Sequence, residues 1–289
     1  MEERRVFRNL HNLHLVSSKL IESLLAGNYR TLFRGPGIEF DEVREYVEGD
    51  DIRQIDWNVT SRMSSPYTKI FREERELTLF LVVDVSASLG IGSEESKRDL
   101  AVYTAGLLAA AAVRNNDRVG GVLFSDRIEK WIPARKGRRH AARLVQDLLT
   151  NKPAGRGSDL PAAVRTVLES MKRRGICVII SDFRTPVIWK EMGLLARRHD
   201  VIALMMSDEI DDEFPARGLV ELQDVESGEL LVAPGYSRRF RSAYSNYSRE
   251  LHEEWVGGFR RRGIEYLRLS TGEDPAPQLI EFFQRRRRH

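Results

Sequence analysis

The chain has 289 residues, 42% of them hydrophobic, enough to bury a full-sized core as one large α/β domain or as a main domain with a smaller attachment. Its 46 Lys and Arg against 43 Asp and Glu leave a formal charge of only +3, so no global field commits it to nucleic acid although the pI is near 9.0. One cysteine, Cys177, excludes an internal disulfide framework, and its place in the apolar run 176–180 reads as core in a reducing, cytoplasmic protein. No signal-type apolar run follows the charged residues 2–5, and no window approaches the ~18 uninterrupted apolar residues of a membrane span.

Taken in order, Leu13, Val16, Leu20 and Leu24 recur at helical spacing within residues 10–25, with Gly27 as a stop, which predicts an amphipathic helix. Residues 37–76 are acid-rich, with extended-looking stretches near 38–46 and 67–71. They read as an appended β-rich region that completes an N-terminal part, 1–76, ahead of the main domain, 77–289. The main pattern starts with the nearly continuous apolar run 77–83, which ends in Asp84; a strand covered on both faces reads this way.

A helix from about 94 to 114, a strand at 119–124 and a short partner strand at 128–132 follow. Next come helices near 138–149 and 160–173, a buried strand at 176–181, a helix near 189–198 and a strand at 201–206. Segments 220–222 and 230–232 flank Glu226-Ser227-Gly228-Glu229 as a small hairpin. A long helix near 236–262, a strand at 264–269 and a last helix to about 284 complete the chain. Strands alternating with helices predict a Rossmann-like, mostly parallel sheet flanked by helices on both faces.

In open α/β sheets ligands collect outside the carboxyl ends of the strands. Asp84 and Asp182 each stand at such an end. In Asp84-Val85-Ser86-Ala87-Ser88 an extended segment turns one carboxylate and two hydroxyls the same way, an all-oxygen set suited to a hard cation such as Mg²⁺. The plainer alternative makes Asp84 and the serines a turn and N-cap leading into the next helix. The polar turn Gly155-Arg156-Gly157-Ser158-Asp159 precedes another helix, where Ser158 reads either as N-cap or as a further hydroxyl at the same site, and Asp159 as a first-turn acid.

Asp84-x-Ser86-x-Ser88 with the later Ser158 and the strand-end Asp182 resembles the metal-ion-dependent adhesion site of von Willebrand factor A domains. The resemblance implies a Mg²⁺ ion (or Mn²⁺ or Ca²⁺) held directly by the two serines and largely through water by the aspartates, with one position left for a partner's carboxylate. The departure is Ser158, where that family usually has threonine. Upstream, Gly37-Ile38-Glu39-Phe40, Arg44-Glu45-Tyr46, Gly49-Asp50-Asp51, Arg53, Ile55-Asp56-Trp57 and Arg62 resemble the signature of the bacterial family called domain of unknown function 58. That resemblance spans roughly 35–270. It implies a MoxR-type AAA+ ATPase as partner, since family members are often neighbours of such ATPases. By itself the segment reads as Arg–carboxylate pairs around Trp57 that dock onto the main domain.

These residues together predict a non-enzymatic, metal-dependent protein-interaction module, an adaptor or cofactor of a MoxR-type ATPase. The best enzymatic alternative is a metal-dependent phosphatase of the haloacid dehalogenase type. It needs an acid two residues after the nucleophilic Asp, and this chain has Ser86 there. Gly90-Ile91-Gly92-Ser93 lacks the Gly-Lys-Ser/Thr ending of a phosphate loop, the six histidines lack zinc-ligand spacing apart from His11 and His14 on the first helix, and no Gly-x-Ser-x-Gly elbow occurs. The basic blocks 260–262 and 285–288 read as solvated ends, or as contacts for phosphate or anionic lipid.

Overall fold

The structure, a computed structural model, describes residues 39–63, 65–72, 77–90, 95–216, 218–223 and 230–286. The helix predicted at 10–25 lies outside the described residues. The chain divides into two compact units, one of residues 30–76 and one that holds residues 77–289.

In the smaller unit, β1 (Glu39–Glu45), α1 (Trp57–Thr60) and β2 (Tyr67–Arg72) follow one another, and the two strands pair antiparallel as the extended stretches suggested. Asp56 caps α1 by accepting from the Asn58 and Val59 amides, while its own amide donates to the Tyr67 carbonyl, so one residue fastens the short helix to β2. The anticipated ion pairs form within the unit, Arg44 with Asp50 at 2.7 Å and Arg53 with Asp51 at 2.9 Å. Trp57 is not enclosed by them: its side chain is 67% exposed.

The larger unit contains β3 (Thr78–Asp84), α2 (Lys97–Arg114), β4 (Arg118–Phe124), β5 (Ile128–Arg135), α3 (Arg138–Thr150), α4 (Leu160–Ser170), β6 (Ile176–Ser181), α5 (Trp189–Arg198), β7 (Asp200–Ser207) and α6 (Glu209–Asp212). It continues with β8 (Leu219–Gln223), β9 (Leu230–Pro234), α7 (Arg238–Arg261), β10 (Glu265–Ser270) and α8 (Pro275–Arg286). Six strands form one sheet in the order β10-β7-β6-β3-β4-β5, parallel except for the β4/β5 pair, and β8/β9 make the expected hairpin.

Every residue of β6, and all but the first of β3, is buried, the reason these strands read as unbroken apolar runs. Leu79, Leu81 and Val83 pack with α2, α3 and α8 on one face of the sheet, and Phe80 and Val82 pack with α4, α5 and α7 on the other.

Two helix boundaries differ from expectation by three residues, and β5 runs on to Arg135. Helix α2 begins at Lys97 because Ser96 and Asp99 close a capping box there, so Asp84 and its serines are not the cap of this helix. Helix α4 ends at Ser170, as the backbone turns extended at Met171 and buries that side chain in the core.

The chain runs from β3 to β4 on one side, then crosses back to β6 on the other side of β3. Connections therefore leave the carboxyl ends of β3 and β6 in opposite directions, opening a crevice between them. Asp84 ends β3 and Asp182 follows β6.

Candidate functional site

Asp84 is 1% exposed. Its Oδ1 accepts the Ser86 amide at 2.9 Å, which fixes the turn into Ser86 and Ser88, and its Oδ2 accepts two hydroxyls, Ser158 and Ser181, each at 2.8 Å. The Ser86 and Ser88 hydroxyls lie 3.1 Å apart. Ser158 is free to serve Asp84 because the helix cap is its neighbour: Asp159 accepts the Ala162 amide at 2.9 Å and caps α4.

The loop that carries Ser158 is pinned from several sides. Ala87 donates to the Arg156 carbonyl at 2.9 Å, Asp159 to the Ser125 carbonyl at 2.7 Å, and the Glu129 carboxylate accepts the Ala154 and Gly155 amides, both at 2.9 Å. A Cβ at Gly155 would meet the side-chain ends of Ser125 and Asp126, so the close approach of this loop to the turn after β4 favours glycine.

Asp182 is 8% exposed. Its Oδ1 accepts the Arg184 amide at 3.2 Å and its Oδ2 accepts the ammonium of Lys97 at 2.9 Å. The Lys97 side chain is 1% exposed and also reaches the Asp211 carboxylate at 3.2 Å, which in turn holds the Arg184 guanidinium at 3.1 Å. Burial, and secondarily the negative charge of Asp182, push the Asp84 carboxyl up to about 6, against the pull of the Ser86 and Ser181 hydrogen bonds.

The model of the family described as protein of unknown function DUF58 matches residues 42–254 of this chain. The chain belongs to the DUF58 family. The matched span takes in Asp84, Ser86, Ser88, Lys97, Ser158 and Asp182. Uncharacterized protein Rv1480 of Mycobacterium tuberculosis is 34% identical over 295 residues, covering 100% of this chain and 92% of its own length. Uncharacterized protein MAV169 of Mycobacterium avium is 32% identical over 163 residues, 54% of this chain and 94% of its own. Among solved structures, an aerotolerance-related membrane protein from Bacteroides fragilis aligns at 14% identity and a TM-score of 0.47, over 73% of this chain and 98% of that one. The conserved hypothetical protein BatB from Bacteroides thetaiotaomicron aligns at 12% identity and a TM-score of 0.46, over 74% and 100%.

Of the five residues singled out in this DUF58 sequence, the fold links Asp84, Ser86, Ser88 and Ser158 by hydrogen bonds and sets Asp182 beside them through the adjoining Ser181. Oxygens that share one edge of a Mg²⁺ octahedron lie about 2.9 Å apart when metal–oxygen distances are about 2.1 Å. The Ser86–Ser88 oxygen spacing of 3.1 Å, a hydrogen-bond distance, is also close to that edge. Among the described residues no three His, Cys, Asp or Glu side chains cluster as a metal set, so a cation here depends on the serine hydroxyls. An all-oxygen set of this kind would suit a hard divalent cation.

Sequence reasoning missed Ser181 and Lys97. Ser181 stood next to the chosen Asp182, and the ladder turns its hydroxyl toward Asp84. Lys97 lies at helical spacing with the buried Ala101, Thr104 and Leu108, in the first turn of a helix that is buried on nearly every face. Within the basic blocks Arg260, Arg261 and Arg285 are exposed as expected, whereas Arg262 stacks on Trp189 at 4.6 Å and donates to the Trp189 carbonyl at 3.0 Å. Arg286 holds Asp200 and Glu265 at 2.8 and 2.6 Å, so both arginines brace the fold.

Proposed function

We propose that this DUF58 chain is a metal-dependent protein-interaction module whose site, at the carboxyl ends of β3 and β6, presents a Mg²⁺-class cation to a carboxylate of a partner protein. The supporting observation is the buried Asp84, which has only neutral donors around it, beside a pair of serine hydroxyls 3.1 Å apart. Ser86 and Ser88 would hold the ion directly, and Asp84, Ser158 and Asp182 would orient its waters. The ion would supply residual positive charge and an exchangeable coordination position, strengthened when an interface excludes water.

The same burial argues against nucleophilic work by Asp84. A carboxylate 1% exposed that already accepts three hydrogen bonds is shielded and weakened as an attacking group. The partner named by the family resemblance is a MoxR-type AAA+ ATPase, for which this chain would act as adaptor or cofactor. Co-purification from lysate in Mg²⁺ and in EDTA tests metal and partner together: capture of the ATPase should require Mg²⁺ and fail for Asp84→Asn. Capture that persists in EDTA would remove the site from the contact.

A further inference from the structure

Lys97 occupies a position that disfavours a cation twice. It is the first residue of α2, where the helix dipole presents its positive end, and its side chain is 1% exposed, so the ammonium has lost its water. Only the carboxylates around it account for its presence: Asp182 at 2.9 Å and Asp211 at 3.2 Å. Asp182 is also the carboxylate that a cation bound at Ser86 and Ser88 would draw on.

The local charges do not balance. Asp84, Asp182 and Asp211 face Lys97 and Arg184, and both cationic side chains lie on Asp182 and Asp211, while Asp84 has hydroxyl and amide donors alone. A divalent ion held by Ser86 and Ser88 would supply the missing charge at Asp84. An ion that drew on Asp182 would share that carboxylate with the Lys97 ammonium, and like charges repel through a poorly screened interior. Lys97 has a way out, because Asp211 is already within reach and keeps the ammonium paired when Asp182 is given up.

We propose that Lys97 is a tethered cation that competes with the divalent metal for Asp182, setting the metal concentration at which the site becomes competent for a partner. The inference rests on the metal-dependent reading above. The exchange has a route to the surface of the unit, since the segment bearing Asp211 hangs on α7: the Tyr244 hydroxyl donates to the Ile210 carbonyl at 2.9 Å and the Ser248 hydroxyl to the Asp211 carbonyl at 2.5 Å. Lys97 moving onto Asp211 loads that contact.

Calorimetric titration of the full chain with MgCl₂ and MnCl₂ tests this, using wild type, Lys97→Met and Lys97→Met/Asp84→Asn. Lys97→Met should bind metal on the order of ten- to a hundredfold more tightly than wild type, and the double variant should not bind. Equal affinity in wild type and Lys97→Met overturns the competition and leaves the metal site standing. No binding by either overturns the metal reading itself. A readout without any variant guards against misfolding: in ¹⁵N-lysine-labelled wild type, the slowly exchanging ammonium resonance of the buried Lys97 should shift as Mg²⁺ saturates the site. A resonance unmoved at saturation overturns the proposal.

Discussion

Replacing Asp84 by Asn removes the charge and keeps the shape. The amide oxygen can still accept from the Ser86 backbone, and the Ser158 and Ser181 hydroxyls, each able to donate or accept, can turn to receive the amide hydrogens. Burial raises the Asp84 carboxyl from 3.8 to about 6 in the folded chain, so its stabilising contribution is fully present below pH 3.8 and is lost as pH rises through about 6. At about 1.4 kcal/mol per pH unit the ionised form costs about 3 kcal/mol, most of it appearing between pH 4 and 6.5. Urea unfolding of wild type and Asp84→Asn in EDTA should therefore give similar stabilities near pH 4. At pH 7.5 the variant should be the more stable by about 2–3 kcal/mol, or roughly 5–10 °C in Tm. Millimolar Mg²⁺ should close that gap by stabilising wild type alone. A difference that stays flat with pH, or a variant less stable than wild type at pH 7.5, would refute the account of Asp84 as a buried charge in want of a cation.

Ser181→Ala deletes a donor to Asp84 and the acceptor of the Phe183 amide at 3.0 Å, so denaturant unfolding should show a loss of about 1–3 kcal/mol together with weaker Mg²⁺ binding by calorimetry. Gly155→Ala puts a Cβ against the Ser125 and Asp126 side chains beside the loop of Ser158; metal affinity should fall about tenfold while far-ultraviolet circular dichroism stays near wild type. His199 is 2% exposed, and burial, aided by Arg198 and Arg174, lowers its pKa, so the folded chain resists its protonation and loses stability as pH falls below about 6.5. His199→Gln should reduce that acid sensitivity in thermal melts at pH 7.5 and 5.5. Arg286→Ala should cost about 1–2 kcal/mol through the lost contacts to Asp200 and Glu265, with capture of the partner unchanged in a pull-down.

The strands were legible because their periodicity is local. The runs ending at Asp84 and Ser181 are apolar throughout since helices cover both faces of β3 and β6, and that demand is written on consecutive residues. Asp84 and Asp182 stood out for the same reason, as polar residues closing apolar runs, but Ser86 and Ser88 meet in a turn that enters a 3-10 helix, Ala87–Gly90, and not in the extended segment that the spacing suggested. Which oxygen serves which group was not local. Asp159 and Ser158 are both good helix caps in sequence, and the contacts that hold this loop against Ala87, Ser125 and Glu129 leave Asp159 to cap α4 and Ser158 to turn to Asp84. Arg262 and Arg286 looked like solvated charge until α7 and α8 set them against Trp189 and Asp200. Lys97 is the extreme case: its partners Asp182 and Asp211 lie 85 and 114 residues further along the chain, and the parallel order of β3, β6 and β7 brings them together. A burial pattern shows that a side chain is enclosed, but the identity of the charge that balances it belongs to strand order, which residue spacing does not encode.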